Sequence, residues 1–368
     1  MAPRILIIRL SALGDIIHAL PLLGAIRGQW ADAHVGWLCE PAGAPLLEGH
    51  PLINRLHIAP RGAWKQGLLS AVGGPKPPFL DELREERYEV GLDVQGLTKS
   101  ALWPWLARVP RRLAFHAPDA RELSGPLATE RVRPASQRRH VAERNLALLG
   151  PLGIAPPDPI SFPVHLPDAA KARAVEMIDD DPTPLVIMNP GAGWETKIWP
   201  PERYGQLARR LIKKHKCRVV LAWGPGEERL VTQALGDWGD TASDQGAAFN
   251  RTHLAKGPGL HILPATSFVE LSAIIARARL FVGGDTGPTH MAAALGVPTV
   301  SMMGPLDARR NGPHGAHCAT IQHAVPRHAP FWRNHRSWCD PRTDLRRVGI
   351  DEVYEACVAL LDVNQIRE

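Results

Sequence analysis

Short apolar runs alternate with amphipathic segments through the first half of the chain. The apolar runs predict buried strands at residues 4–9, 34–39, 55–59, 89–94 and 111–115. Segments whose apolar positions recur every three or four residues predict helices at residues 15–27, 79–87, 98–107 and 141–149. Such alternation is typical of βαβ units, in which helices cover both faces of a parallel sheet. The pattern therefore predicts an α/β, doubly wound domain.

A proline-rich passage at residues 151–167 interrupts this alternation with six prolines and predicts an extended connector. Beyond it, strands are predicted at residues 184–188, 218–222, 280–282 and 299–302, and helices at 202–214, 227–235, 268–277, 289–295 and 351–361. A chain of 368 residues exceeds what one hydrophobic core usually organises. We therefore expect two such domains, 1–165 and 166–345, with ligands at the carboxyl ends of their strands. The remaining residues, 346–368, hold a C-terminal helix that could pack back on the first domain.

Composition narrows the class of protein. The formal net charge of +6 suggests an anionic partner, and nine arginines against four acids lie between Arg108 and Arg144. That stretch could meet nucleic acid, anionic lipid or a phosphorylated substrate, or it could be a solvated basic face. The five cysteines are far apart and form no CxxC pair, which argues against a disulfide framework or a zinc site and fits a reducing cytoplasm. No apolar run is long enough to span a bilayer, so we expect a cytoplasmic protein that at most touches a membrane surface.

The first candidate site is the segment 9–15, RLSALGD, which joins the first strand to the first helix. Gly14 permits a tight turn, and Asp15 stands where a helix N-cap would be. Asp15 could therefore only cap the helix, or it could act on a ligand. The segment lacks the GxGxxG fingerprint, which disfavours a nicotinamide enzyme.

Three further loops follow predicted strands of the second domain. In GGDTGPTH, residues 283–290, two glycines and a helix start favour a nest of backbone amides for an anion, although the loop could only cap the helix. Asp285 would repel phosphate there, so we expect it to orient the loop or hold a hydroxyl. In NPGAGWETKIWP, residues 189–200, Lys197 offers a charge to a phosphate or is a solvated lysine. An acid in WGPGEE, residues 223–228, could bind ribose hydroxyls. Together these loops predict a ligand that carries phosphate and ribose.

Five segments resemble, in this order, the heptosyltransferases of glycosyltransferase family 9: RLSALGDIIHALP, EVGLDVQGLTKSAL, HVAERNLALLG, GWETKIWPPERY and FVGGDTGPTHMAAALGVPTVSMMGP. The resemblance covers nearly the whole chain, and the second and third segments look most like the heptosyltransferase I branch. It implies a GT-B fold, with two Rossmann-like domains facing a central cleft. It also implies an inverting transfer from ADP-L-glycero-D-manno-heptose to the lipopolysaccharide inner core, Kdo-lipid A or a heptose on it. Neither a metal nor another cofactor is expected.

The resemblance also implies residue roles. Asp15 falls on the general base and Lys197 on the phosphate-contacting lysine, and these two are the catalytic residues. The donor would contact Gly193, Lys197, Glu227, Thr266, Asp285, Thr286, Gly287 and His290, with Glu228 an alternative to Glu227. The acceptor would contact Ser11, Gly14, His18, Arg61, Lys65, Gln95 and Arg121. Two departures leave the acceptor and the position of the heptose open: residues 61–65 carry fewer charges than the family's Arg cluster, and the loop before Lys197 is rich in Gly, Ala and Trp rather than hydroxyls.

The expected partners are the ADP-heptose donor, a phosphorylated lipid-linked glycan as acceptor and the inner face of the cytoplasmic membrane. We expect a monomer. We also expect no nucleic-acid binding, because the Arg108–Arg144 stretch lacks the interleaved aromatic residues on which single-stranded bases stack. Four alternatives remain: a metal-dependent transferase that uses the acidic run 179–181, a sugar-nucleotide epimerase, a family 9 transferase with another donor or acceptor, and a non-catalytic nucleotide-sugar-binding protein.

Overall fold

The computed structural model describes residues 2–71, 73–74, 76–116, 124–134, 140–236, 254–325 and 340–365. The chain divides into two compact units, Met1–His165 and Leu166–Glu368. Each unit is built on one six-stranded sheet in which all neighbouring strands are parallel.

The sheet of the first unit has the order β3-β2-β1-β4-β5-β6. Its strands are β1 (Arg4–Ile8), β2 (His34–Cys39), β3 (Arg55–Ile58), β4 (Val90–Asp93), β5 (Arg111–Phe115) and β6 (Glu130–Val132). The helices of this unit are Leu13–Ile17, Pro21–Gln29, Ala44–Leu47, Trp64–Ala71, Phe79–Glu85, Thr98–Leu106, Ser124–Leu127 and Val141–Ala147, with 3-10 turns at Pro41–Gly43 and Gly150–Leu152.

The sheet of the second unit has the order β12-β11-β10-β7-β8-β9, which is the same winding when it is read from the other edge. Its strands are β7 (Leu185–Asn189), β8 (Arg218–Leu221), β9 (Gly259–Ile262), β10 (Leu280–Gly284), β11 (Thr299–Met302) and β12 (Cys318–Ile321). Its helices are Asp168–Ile178, Pro201–His215, Glu228–Leu235, Phe268–Ile275, Gly287–Ala294, Ala308–Asn311 and Ile350–Gln365, with 3-10 turns at Glu195–Lys197, Pro341–Thr343 and Leu345–Arg347.

Both sheets are buried on their two faces. Alternate residues of β7 enter opposite halves of the core, since Val186 and Met188 pack in one apolar cluster and Leu185 and Ile187 in another. This is the strand order of the Rossmann fold, twice over, and it confirms the expected pair of doubly wound, Rossmann-like folds.

The first predicted helix is broken in two. Pro21 begins a separate helix, Pro21–Gln29, because proline has no amide hydrogen with which to continue the preceding turn. The short helix Leu13–Ile17 has Ala12 at its N-cap, so Asp15 is its third residue and not the cap that the sequence indicated.

The C-terminal helix, Ile350–Gln365, buries Val353, Cys357 and Leu361 in the core of the second unit. These residues lie four positions apart, so they form one apolar stripe, and the helix packs on Pro201–His215 and on β10, β11 and β12. These contacts lie within the second unit, and the expectation that the helix also packs back on the first domain stays a prediction. No helix within the described ranges is long and apolar enough to cross a membrane.

Candidate functional site

Each sheet has a point where the crossover connections diverge, between β1 and β4 in the first unit and between β7 and β10 in the second. Open α/β sheets bind ligands at such points, beyond the carboxyl ends of the strands. The loops that follow these four strands carry the segments that the sequence singled out, Arg9 to Asp15 after β1 and Lys197 and His290 after β7 and β10. The fold therefore places the strongest sequence candidates where its topology favours a ligand.

Asp15 is held by a buried arginine. The Arg9 guanidinium forms an ion pair with Asp15 Oδ2, and its Nη1 donates to the Val94 carbonyl at 3.1 Å. The Arg9 side chain is only 10% exposed, whereas the Asp15 side chain is 45% exposed. The Ala12 amide also approaches Asp15 Oδ2, at a long 3.4 Å, so capping is the weaker of its contacts. Asp15 is therefore an oriented carboxylate that remains open to an approaching hydroxyl.

The loops after β1 and β4 are fastened to each other. Gln95 Oε1 accepts a hydrogen bond from the Leu10 amide at 2.8 Å, and Gly96 N donates to Asp93 Oδ1 at 3.0 Å. Asp93 is 3% exposed, and burial raises its pKa to about 6. Sequence reasoning missed Asp93 and gave Arg9 no role, although an acid at the end of an apolar strand was the available signal.

The remaining acceptor candidates differ in their surroundings. Ser11 and Gly14 are half-buried beside Asp15, and Arg61 and Lys65 are exposed beyond β3, at the same sheet edge. His18 is buried, and its ring meets the His140 ring edge-on at 5.0 Å, so it lies behind the site rather than on its surface. Arg121 lies outside the described residues.

The arginine-rich stretch is partly internal. Arg111 pairs with Glu130 at 2.8 Å, and Arg112 donates to the carbonyls of Val109 and Leu127. The Arg144 guanidinium lies 5.6 Å from the centre of the Phe115 ring and is buried. These arginines stabilise the first unit and leave less free charge than the sequence suggested.

In the second unit, Asp285 joins two functional candidates. Its Oδ2 lies 2.8 Å from Lys197 Nζ, and its Oδ1 lies 3.1 Å from His290 Nε2. Burial alone would raise the pKa of Asp285, but its hydrogen bond with His290 and the Lys197 charge hold the pKa below its usual value. Asp285 is therefore an ionised anchor that positions a lysine and a histidine at the loops after β7 and β10.

Lys197 is not a solvated lysine. Its side chain is 13% exposed, and Nζ lies 4.3 Å from the centre of the Trp194 ring, within cation–π range. A Cβ at Gly284 would lie 2.9 Å from the Lys197 carbonyl, so the two loops approach as closely as they do because position 284 is glycine.

Thr286 and Gly287 begin the helix Gly287–Ala294 next to this lysine. Thr286 is the N-cap, and its hydroxyl lies 3.1 Å from that of Thr289 and 3.5 Å from Asn189 Nδ2. The first amides of a helix have no partner within it and carry partial positive charge. Lys197 and this helix start together form an anion-binding arrangement.

Glu227 lies next to the same strand ends. It accepts a hydrogen bond from Gly224 N at 2.8 Å, and a Cβ at Gly191 would lie 2.0 Å from its carboxylate, so a larger residue at 191 would displace that carboxylate. Glu227 is half-buried, which raises its pKa, whereas Glu228 is exposed, so the structure favours Glu227 as the acid that faces the loop.

Gly193 and Thr266 follow β7 and β9 at this edge without a described contact to the Lys197–Asp285–His290 group. Gly193 has open space around it, and Thr266 directly precedes Ser267, the N-cap of the helix Phe268–Ile275.

The acidic run at 179–181 is engaged by three different cations. Asp179 lies 3.7 Å from Lys256, Asp180 lies 2.7 Å from Arg277, and Asp181 lies 3.7 Å from Arg218. Asp181 also accepts a hydrogen bond from Gly257 N at 2.6 Å and has a 6% exposed side chain, so it is not the solvated turn residue that the sequence suggested. Across the ranges that the structure describes, no three His, Cys, Asp or Glu side chains could jointly hold a metal ion.

Comparison with known proteins points in one direction. The family model for glycosyltransferase family 9 (heptosyltransferase) matches residues 79–335. Lipopolysaccharide heptosyltransferase 1 of Pseudomonas aeruginosa is 29% identical over 320 residues, covering 85% of this chain and 81% of that protein.

Two solved structures from Escherichia coli share the architecture. ADP-heptose lipopolysaccharide heptosyltransferase II has a TM-score of 0.72 at 22% identity, over 98% of this chain and 99% of that one. Heptosyltransferase WaaC, solved with ADP-2-deoxy-2-fluoro heptose, has a TM-score of 0.68 at 21% identity, with the same coverage. The two units therefore have the GT-B fold that the sequence resemblance implied.

The buried Asp93 gives a prediction about stability. Its pKa of about 6 lies above the ordinary value of about 3.9, so the folded chain binds more protons than the unfolded chain between these pH values. Stability should therefore fall as the pH rises through this window, by at most about 3 kcal/mol, and stay level above it. Asp93→Asn should remove this dependence, so its stability relative to wild type should increase from pH 4 to pH 7.

The measurement is the urea midpoint of both proteins across that pH range. Asp32→Asn, an exposed acid in the same unit, is the control and should differ from wild type by a constant amount. An equally constant difference for Asp93→Asn would show that Asp93 does not titrate in this range.

Proposed function

The chain belongs to glycosyltransferase family 9, the heptosyltransferases, and from this premise we propose that it transfers a heptose from ADP-L-glycero-D-manno-heptose to the lipopolysaccharide inner core. The acceptor is Kdo-lipid A or a heptose on it, and the anomeric configuration inverts. The observation that carries the proposal is that each unit has a charged group at the diverging point of its sheet, an open carboxylate at Asp15 in one and a buried lysine at Lys197 in the other.

The reaction is a single displacement at the anomeric carbon. An acceptor hydroxyl oxygen forms the new bond to this carbon while the bond from the carbon to the β-phosphate oxygen breaks, and the electron pair leaves with ADP. Asp15 takes the hydroxyl proton, which a carboxylate can do when it lies within hydrogen-bond reach of the attacking oxygen. Arg9 acts as a positioning residue, because its ion pair orients the Asp15 carboxylate.

The leaving diphosphate gains negative charge, and Lys197 with the amides near Thr286 and Gly287 stabilises it. These fixed positive groups supply the stabilisation that a metal supplies in other transferases, so we include metal independence in the proposal. Asp285 and His290 hold Lys197 in place. Gly193 gives the phosphates room, Glu227 binds the ribose, and Thr266 lies near the base.

On the acceptor side, Ser11, Gly14 and Gln95 border Asp15, and Arg61 and Lys65 would bind the phosphates of the glycan, joined by Arg121. We propose that His18 supports this surface from behind, because its ring is buried. We also propose that the enzyme works as a monomer at the inner face of the cytoplasmic membrane, where a lipid-linked acceptor is presented.

The decisive experiment incubates the protein with ADP-heptose and heptose-free lipopolysaccharide core in the presence of EDTA. We expect a product heavier by one heptose, with the opposite anomeric configuration by NMR. Transfer only from another nucleotide sugar would replace the proposed donor, and transfer that requires added magnesium or manganese would remove metal independence. Binding of ADP-heptose without turnover on any core acceptor would favour a non-catalytic protein.

Asp15→Asn should abolish most turnover while ADP binding is retained, because the amide cannot accept the proton. A general base contributes roughly 10²–10⁴-fold, and we expect kcat to fall by an amount in that range. Steady-state kinetics and calorimetric ADP titration measure the two effects, with Asp32→Asn as the matched exposed aspartate. Turnover close to wild type in the Asp15 variant would exclude Asp15 as the base.

Lys197→Ala should lower kcat/KM by about 10- to 100-fold, which corresponds to the ~1.5–3 kcal/mol of a hydrogen bond to a charged group. ADP affinity should fall as well, since the lysine contacts phosphate before and during the reaction. Lys213→Ala, an exposed lysine of the same unit, should change neither quantity. In Lys197→Ala the Asp285 carboxylate loses its partner lysine and could itself repel the diphosphate. The double variant Lys197→Ala/Asp285→Asn tests whether this carboxylate accounts for part of the loss in kcat/KM and ADP affinity. Unchanged ADP affinity and rate in Lys197→Ala would contradict a phosphate contact.

A further inference from the structure

Exposed apolar side chains of the first unit concentrate around one helix. Among the described residues, six large apolar side chains are substantially exposed, and four of them belong to the first unit: Ile58, Leu68, Leu69 and Trp105, at 45%, 42%, 55% and 40%. Leu68 and Leu69 lie on the helix Trp64–Ala71, Trp105 lies on the helix that packs against it, and Ile58 ends the strand that precedes it. We call Leu68, Leu69 and Trp105 the apolar patch.

The helix Trp64–Ala71 turns its leucines outward. It packs against the helix Thr98–Leu106 through Gly67, where a Cβ would lie within about 3.0 Å of Leu102 and Trp103. Leu68 and Leu69 follow Gly67 by one and two positions, so they are rotated by about 100° and 200° from the packed side. Both lie one turn beyond Lys65 and share its face. Clustered exposed apolar side chains of this kind mark a surface that meets a partner.

The charges around the apolar patch indicate which partner. Residues 49–80 contain four cations, Arg55, Arg61, Lys65 and Lys76, and no Asp or Glu. Arg55 pairs with Glu82, and Lys76 lies 4.0 Å from Asp81. Arg61 and Lys65 are exposed, and neither forms an ion pair within the described part of the chain. Outward leucines and a tryptophan bordered by uncompensated cations are the chemistry of an interfacial site on an anionic bilayer.

The position of this surface suits the reaction. The helix Trp64–Ala71 follows β3, whose carboxyl end lies at the same edge of the parallel sheet as the end of β1, from which the Asp15 loop leaves. A lipid-anchored acceptor must reach Asp15 from the membrane, so a docking surface at this edge shortens the distance that the glycan has to cover.

We infer that Leu68 and Leu69, with Trp105 on the neighbouring helix and Arg61 and Lys65 at the border of the leucines, insert into an anionic phospholipid surface and dock the first unit on it. The apolar side chains enter the headgroup region, and the two cations meet the phosphates at its surface, which are those of the lipids and, in the proposed function, those of the lipid-linked glycan. The benefit to the reaction rests on the proposed function, whereas binding to lipid does not.

The test compares full-length wild type with the double variant Leu68→Ser/Leu69→Ser in co-sedimentation with two kinds of vesicle. One kind contains phosphatidylglycerol and phosphatidylethanolamine, and the other contains phosphatidylcholine alone. Wild type should bind the anionic vesicles, and the double variant should bind them about tenfold more weakly, since both inserted side chains are lost. Val175→Ser, which replaces a 39% exposed apolar residue of the second unit, should bind as wild type does. Equal thermal midpoints verify that the variants are folded.

Trp105→Ser is a second, independent variant and should weaken vesicle binding in the same direction. Unchanged binding of the Leu68/Leu69 variant, or equal binding to both kinds of vesicle, would overturn the inference. So would a wild-type dimer in gel filtration that the double variant loses, because a second copy of the chain would then cover the patch.

Activity separates this inference from the proposed function. With acceptor embedded in anionic vesicles, the double variant should show a raised acceptor KM and an unchanged donor KM. With a soluble, deacylated acceptor it should match wild type. Vesicle binding that depends on Leu68 and Leu69 in a protein without transferase activity would support the docking surface and reject the proposed function. Equal loss of activity on both acceptors would overturn the docking role.

Discussion

Parallel pairing of the central strands is the constraint on which the rest of the structure depends. Because β1 pairs with β4 and β7 with β10 in parallel, the carboxyl ends of each pair lie at one edge, and the crossovers leave that point in opposite directions. Four loops far apart in sequence thus become two sites. Every functional contact follows from this arrangement, from the Arg9–Asp15 ion pair to the buried carboxylate that joins Lys197 and His290.

The two sites use buried charge in opposite ways. In the first unit the cation is buried and the carboxylate is open, so Arg9 orients Asp15 and leaves its carboxylate accessible. In the second unit the carboxylate is buried and joins Lys197 to His290 at the ends of β7 and β10. A proton acceptor and an anion stabiliser are the two groups that a displacement with a diphosphate leaving group requires. Asp93 is buried beside the Asp15 loop, and its burial lowers the stability of the folded chain at neutral pH, as its raised pKa indicates.

The positively charged residues of the first unit divide into internal and exposed ones. Some arginines that the sequence suggested as contacts for an anionic partner lie inside the first unit instead. Arg112 donates hydrogen bonds to backbone carbonyls, and Arg144 packs over the Phe115 ring. Arg61 and Lys65, by contrast, are exposed next to outward leucines and form no ion pair among the described residues. A count of arginines along the chain therefore does not indicate which positive charges of this unit remain exposed.

The sequence by itself determined the central strands, because each is an apolar run that is buried on both faces. It also located the Asp15, Lys197 and Asp285 loops, because glycine, proline and charged residues cluster there. It missed β6, β9 and β12, because edge strands such as Glu130–Val132 have little apolar surface to bury and so carry little pattern. It could not assign Arg9, Asp93 or the choice between Glu227 and Glu228. Those roles depend on burial and on partners up to 85 positions away, as between Leu10 and Gln95. Local periodicity records which face of an element is buried, but only the tertiary structure decides which charges meet there.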